Sequence, residues 1–490
     1  DADEGRLSAV CAEFQKGFQE GAQDVTKAAL PLGTPVLKMA DAIAGLPTEC
    51  QGEPAEVLSR FYFDADKTKI TKVRELRQKP SPAEGLATAE IELEAAGDLK
   101  NYTLGGTLSM LPENDPADVE ACMALLGLKP ADMSKAITFL PAEGPSNAKI
   151  KRPFPTPCTL GQALSRYCDL ARSPSKKMLQ SMQPKLKDQA AAHVAKLLAD
   201  TDALKLLHAA PLCCRMHEFW TMLGITSLDL TEFLLHCPRQ KAREFTIASS
   251  PKAAPGRITL CVSLTSHSLP EANTTLQQLK DMGSLPKDAK LPAEDSRRFF
   301  GLCSRWITTQ LKAGDEVLAK QRASPFHLPE KDVPVVMVGS GAGVAPFRGF
   351  WDELRRGSQQ APAALFFGCR HPEQDWLFKE EMSGSVKLAA SPCAALARVQ
   401  VGPKRPLTCL HTAFSRPGEG KEGKYVQKLI GEQKMSVKHW VEKMNGCVFI
   451  CGSTGMGNGV LEALAEILEG GKDTVEQLRK DGRIVAEMWG

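Results

Sequence analysis

One stretch limits the possible folds of this chain more than any other: Val335-Val336-Met337-Val338-Gly339-Ser340-Gly341-Ala342-Gly343-Val344-Ala345-Pro346-Phe347-Arg348. An unbroken apolar run of this length reads as a strand buried on both faces. The glycines that follow make a tight turn, and Pro346 suits the first turn of a helix. Strand, glycine turn and helix together form a backbone cradle for a dinucleotide pyrophosphate. The spacing is not Gly-x-Gly-x-x-Gly, which disfavours a plain Rossmann dehydrogenase. Apolar runs at 363–367 and 448–451 also end in glycine, with helical segments read at 347–356, 426–430 and 460–468. This alternation predicts a parallel sheet with helices on both faces.

Upstream of residue 329 the pattern changes. Segments 61–63, 70–76, 87–93, 245–248 and 258–264 read as strands, as does the stretch after the Gly105-Gly106 turn. Helices are predicted over 119–126, after Asn114-Asp115-Pro116, and over 301–311. Apolar stripes at 163–170, 178–204 and 216–223 make 131–235 mostly helical. The order predicts an antiparallel barrel interrupted by a helical subdomain. Residues 1–64 read as a lead-in, with Val10, Phe14, Phe18 and Ala22 at helical spacing. The division is thus 1–64 lead-in, 65–130 first part of the barrel, 131–235 helical insertion, 236–328 second part of the barrel, and 329–490 nucleotide-binding sheet.

Composition narrows the function. The chain has 490 residues, enough for about three domains. Basic side chains number 61 against 58 acidic, a net charge of +3, which argues against a nucleic-acid binder. No apolar run reaches the roughly 18 residues of a membrane span. Fifteen cysteines without a CxxC pair argue against a zinc cage and read as reduced, intracellular thiols, so no metal is expected.

Several short constellations carry chemistry. Arg243-Glu244-Phe245-Thr246-Ile247-Ala248-Ser249-Ser250 brings a guanidinium suited to pyrophosphate and a hydroxyl from Thr246; a serine turn on an edge strand explains the same residues without a ligand. Gly301-Leu302-Cys303-Ser304 opens a helix, whose free N–H groups suit an anion. Ser415-Arg416 with Lys424, Tyr425 and Gln427 can hold a phosphomonoester, and a solvated loop has the same composition. Cys451-Gly452 ends a strand, and Glu487-Met488-Trp489-Gly490 offers an acid and a flat indole.

In this order the motifs resemble the FAD/NADPH reductase module of the diflavin reductase family. That family includes NADPH–cytochrome reductases, the sulfite reductase flavoprotein and the reductase half of pyruvate:NADP⁺ oxidoreductase fusions. The resemblance covers roughly 65–490. It also takes in Phe154-Pro155-Thr156-Pro157-Cys158-Thr159, Tyr167-Cys168-Asp169 and Leu365-Phe366-Phe367-Gly368-Cys369-Arg370. It implies a ferredoxin–NADP reductase-like fold, an antiparallel FAD-binding barrel with a helical insertion followed by a parallel NADPH-binding sheet. By carry-over, Arg243, Phe245, Thr246 and Ser249 line the FAD site, with Cys261 and Ser263 beside the ring. Gly301, Leu302, Cys303 and Ser304 hold its pyrophosphate. Gly341, Ala342, Cys369 and Arg370 contact NADPH, and Ser415, Arg416, Lys424, Tyr425 and Gln427 read its 2′-phosphate side. Trp489 covers the flavin, and Thr246, Cys451 and Glu487 surround the hydride path.

Departures from the family pattern are Phe245 for Tyr, Thr246 for Ser, Glu487 for Asp and Ala342 for Thr. Each proposed catalytic position keeps its chemical type, so a working enzyme is expected. The implied activity is hydride transfer from NADPH to FAD, then single electrons to an FMN or iron–sulfur partner. Alternatives are a reductase-like structural subunit and a stand-alone NADPH–ferredoxin reductase. Residues 1–60 are too few for an FMN domain, and the start at Asp1 reads as a piece of a larger parent that supplies the acceptor.

Overall fold

The computed structural model describes residues 35–46, 53–54, 60–141, 150–292, 297–356, 361–389 and 406–489. The helix expected around Val10 to Ala22 lies outside them. Strands β1 (Asp66–Glu75), β2 (Thr88–Glu94), β3 (Thr107–Met110), β4 (Arg243–Thr246), β5 (Arg257–Ser263) and β6 (Glu316–Arg322) pair antiparallel in the order β5-β2-β1-β6-β3-β4. A bridge between Ile247 and Leu260 joins the end of β4 to β5 and closes the barrel. Alternation along the strands sends Ile91, Leu93, Leu108, Met110 and Leu260 inward. There they meet Trp306 and Ile307 of helix α1 (Leu302–Thr309).

Between β3 and β4 the chain leaves the barrel and builds a separate core. The expected helix over 178–204 is three: Lys176–Met182, Asp188–Ala199 and Thr201–Leu207. Pro184 falls in the first break, and Asp200 restarts the last helix by accepting from the amides of Asp202 and Ala203 at 2.8 and 3.1 Å. Helix Pro116–Leu125 packs into this core too, ahead of the expected boundary at 131. The insertion is not wholly helical. Ala136–Pro141 pairs antiparallel with Pro35–Ala40 and with Cys158–Thr159, so part of the expected lead-in joins the insertion. These strands depend on partners up to a hundred residues away, which local periodicity cannot show. Residues 61–63, expected as a strand, lie in the helical turn Arg60–Asp64, because Tyr62 turns into the insertion core and donates to the carbonyl of Gln240.

The second half is a six-stranded, wholly parallel sheet. Its strands are β7 (Val335–Ser340), β8 (Ala363–Cys369), β9 (Val386–Ala389), β10 (Leu407–Phe414), β11 (Cys447–Ser453) and β12 (Ile484–Trp489), in the order β9-β10-β8-β7-β11-β12. Val335 and Met337 of β7 pack with Phe347, Phe350 and Trp351 of α2 (Ala345–Arg356). Val336 and Val338 face the other way, toward Ile430 of α3 (Val426–Glu432) and Val460 of α4 (Thr454–Ile467). The α2-side core also takes in Leu76, Ala248 and Cys261 from the barrel and Phe326 from the connection. The rings of Phe326, Phe350 and Phe449 meet with centroids 5.2–5.7 Å apart, so the connection is anchored in the core of the sheet half. Cys409 departs from the expected set of reduced thiols, since it is disulfide-bonded. Among the described residues, no helix is long and apolar enough to cross a membrane.

Candidate functional site

The glycine turn after β7 is shaped by close backbone approach. Gly341 is left-handed, with φ +52°. A Cβ on Gly343 would stand 2.1 Å from the carbonyl oxygen of Cys451, so no larger residue fits there without movement. The turn therefore lies tight against the end of β11. Its residues Ser340, Gly341 and Ala342 wall a cavity of about 420 Å³ between sheet and barrel.

Ten of the residues singled out in the sequence line this cavity: Ser263, Gly341, Ala342, Cys369, Arg370, Ser415, Lys424, Tyr425, Gln427 and Trp489. Ser415 and Arg416 are laced to the end of β8, their amides donating to the carbonyls of Cys369 and Arg370 at 3.0 and 2.7 Å. Arg416 is exposed and is not among the residues that line the cavity. The Lys424 ammonium lies 2.8 Å from Glu432. Trp489 is 46% exposed, leaving a flat indole at the mouth.

Sequence reasoning missed Arg77. Its side chain, only 10% exposed, lines the same cavity and lies 3.6 Å from Asp375. Its Nε is buried and has no hydrogen-bond partner. An unpaired guanidinium N–H on a cavity wall calls for an anion.

At the seam, Thr246 Oγ1 donates to Glu487 Oε2 at 3.0 Å. Ser324, also missed in the sequence, donates to Glu487 Oε1 and accepts from the amide of Phe326 at 3.0 Å. Glu487 is the register partner of Cys451. Burial pushes the Cys451 thiol well up, as do the nearby Glu487 and Cys261. Burial raises Cys261 as well, with Glu90 adding to it. Both therefore stay neutral thiols, unsuited to nucleophilic attack.

A larger cavity, about 840 Å³, lies where the insertion meets the barrel. Arg243 and Leu302 line it with Asp169, Arg172, Arg215, Arg297 and Phe300. Burial raises the Asp169 carboxyl to about 6, against the pull of Arg172 and Arg243. Gly301 caps α1, its amide donating to the carbonyl of Thr265 at 2.8 Å.

The remaining candidates line neither cavity. Ser304 accepts from the Thr265 amide and donates to the Gly301 carbonyl at 3.1 and 3.0 Å, so its hydroxyl orders the helix start. Ser249 is 2% exposed and bonds Tyr102 Oη and the Thr259 amide at 3.1 and 3.0 Å. Cys303 lies in the barrel core, and Phe245 packs against that core opposite Leu108. These side chains hold the walls of the site.

The donors of the site suit phosphorylated dinucleotides: bare backbone at a glycine turn, the unpaired Nε–H of Arg77, further arginines in both cavities and an exposed indole for a flat ring. Comparison with known proteins agrees. Residues 62–276 match the model of the FAD binding domain, and 337–462 match the oxidoreductase NAD-binding domain. The chain is 28% identical to NADPH--cytochrome P450 reductase of Dictyostelium discoideum, over 88% of this chain and 60% of that protein. It is also 28% identical to NADPH-dependent diflavin oxidoreductase 1 of Cryptococcus neoformans, over 82% and 60%. Human inducible nitric oxide synthase matches at 28% over 84% of this chain and 33% of its own length. The chain thus spans between a third and three fifths of these relatives. It carries an FAD- and NADPH-binding module like that of the diflavin reductase family.

Proposed function

We propose that the chain is an NADPH-dependent flavin reductase that serves an FMN-domain or iron–sulfur acceptor. The observation that carries this reading is the Thr246–Glu487–Ser324 set, a carboxylate held at both oxygens on the seam between barrel and sheet. FAD, when bound, supplies the redox chemistry, taking a hydride from NADPH and releasing electrons one at a time. Arg243, Gly301 and Leu302 would hold its pyrophosphate, and Trp489 would cover its ring. Gly341, Ala342, Cys369, Arg370 and Arg77 would hold NADPH, with Ser415, Arg416, Lys424, Tyr425 and Gln427 toward its 2′-phosphate. Glu487 presents a fixed negative charge where positive charge develops on the nucleotide side. Cys451 fills the floor with a neutral thiol and excludes water. The barrel, its insertion and the sheet are read as separate functional parts, the insertion taking in Pro116–Leu125 and Pro35–Ala40 besides 131–235.

Anaerobic mixing of FAD-loaded protein with NADPH should bleach the flavin band near 450 nm, while NADH should act far more slowly. A band that persists with NADPH would end the reading. Equal responses to both nucleotides would end its 2′-phosphate part. Arg416→Ala should raise the NADPH KM by about tenfold, the loss of one charge-assisted contact, and leave the NADH KM unchanged.

A further inference from the structure

Arg348 lies in the first turn of α2, directly after the glycine turn, and its guanidinium reaches across the seam. Nε donates to Glu381 at 2.8 Å, another nitrogen stands 3.5 Å from Glu90, and Nη1 is 3.4 Å from the carbonyl of Ala248. The plane lies over Phe378, 5.1 Å from the ring centroid. Arg348 is 16% exposed at the side chain and Glu90 is 1% exposed. The surrounding charges are Arg74, 2.8 Å from Glu90 and 3.6 Å from Glu381, Lys72, 3.9 Å from Glu90, and Asp352 on the same helix.

Glu90 sits on β2 in register with Cys261 of β5. The reading above places Cys261 beside the flavin. A carboxylate this buried is costly unless compensated. Arg74 and Lys72 compensate from the wet side, with 46% and 47% of their side chains exposed, so water screens them. Arg348 is the buried partner. Both charges are felt at Cys261, whose thiol, besides being raised by burial, is raised by Glu90 and lowered by Arg348.

We propose that Arg348 and Glu90 form an electrostatic pin, a pair of positioning residues that fixes the nucleotide turn against the flavin strand and sets the electron affinity of the bound flavin. The inference rests on the flavin reading of the seam. A negative charge left alone beside a flavin disfavours its reduction, and a positive one favours it.

The test is the FAD midpoint potential of loaded protein, measured by chemical titration without nucleotide, for Arg348→Met, Glu90→Gln, the double variant and Arg348→Lys. Arg348→Met should move the potential negative, Glu90→Gln should move it positive, and the double variant should return near the parent value. Arg348→Lys should hold the potential, since it keeps the charge. It should still slow flavin reduction by NADPH about tenfold, since the planar fork that sets the geometry is lost. Shifts of one sign in both single variants, or no shift in either, would overturn the proposal. If Arg348→Met does not fold, Glu90→Gln and the double variant still decide it, because an unmoved potential in Glu90→Gln is fatal. Failure of NADPH to reduce the parent protein would sink the functional reading instead, and the titrated potentials do not depend on it.

Discussion

Glu487 accepts at both carboxylate oxygens, from Thr246 on one side and Ser324 on the other. A group fixed in this way needs little reorganisation when charge develops beside it. Ser324→Ala should therefore slow NADPH-driven flavin reduction by about tenfold with the NADPH KM unchanged, and Ser324→Thr should restore much of it. Stopped-flow traces with unchanged rates would remove Ser324 from the set. Thr246 and Glu487 could be named from the sequence because each sits in a recognisable string. Ser324 could not, since a lone serine in Arg-Ala-Ser-Pro carries no signal, and only the fold brings it to Glu487. Arg77 was hidden differently, among other basic residues of 67–79, where only its burial sets it apart. Ser249 and Ser304 show the converse. Their hydroxyls look available in a motif, but the backbone around them consumes both.

At the scale of single elements, glycines separate turns that need bare backbone from helices that only tolerate it. Gly343→Ala should destabilise the protein by about 1–3 kcal/mol, the usual cost of overpacking, because its Cβ would stand 2.1 Å from the Cys451 carbonyl. Gly431→Ala, in α3 with nothing within 4 Å, should be neutral or stabilise by up to about 1 kcal/mol. Urea unfolding midpoints compare the two directly, and equal midpoints would refute the packing argument. Strands β7, β8 and β11 were legible because burial on both faces leaves unbroken apolar runs. Strands β10 and β12 escaped notice because polar residues interrupt them: Thr408, His411 and Thr412 in one, Glu487 in the other. Those interruptions in β12 are where the proposed chemistry lies.

At the scale of the whole molecule, barrel and sheet were readable because each has its own periodicity, whereas the extent of the insertion was not. Its packing recruits Pro116–Leu125 and Pro35–Ala40 from outside 131–235. The junction of insertion and barrel should leave a mark on stability. The Asp169 carboxyl is raised from 3.8 to about 6 by burial. The folded protein then binds more protons than the unfolded chain between these values, so stability from this group is present below pH 3.8 and lost as pH rises through about 6. Asp169→Asn should therefore gain in Tm over the parent at pH 7.5 and much less at pH 4.5, in thermal melts of both proteins. A difference independent of pH would contradict this account.

The place where the insertion leaves the barrel also bears on the order of folding. Met110 and Arg243 are direct ladder partners, yet about 130 residues separate them. Compared with a tight hairpin, that span adds about five doublings of loop length, roughly 3 kcal/mol of closure entropy. The insertion offers a way round this cost. Asn114 near its start takes a hydrogen bond from Gln240 near its end at 3.2 Å, and both also bond the segment 164–168 between them. An insertion that forms early thus presents β3 and β4 to each other already aligned. The barrel, and Arg243 and Thr246 with it, would then take shape after the insertion during refolding.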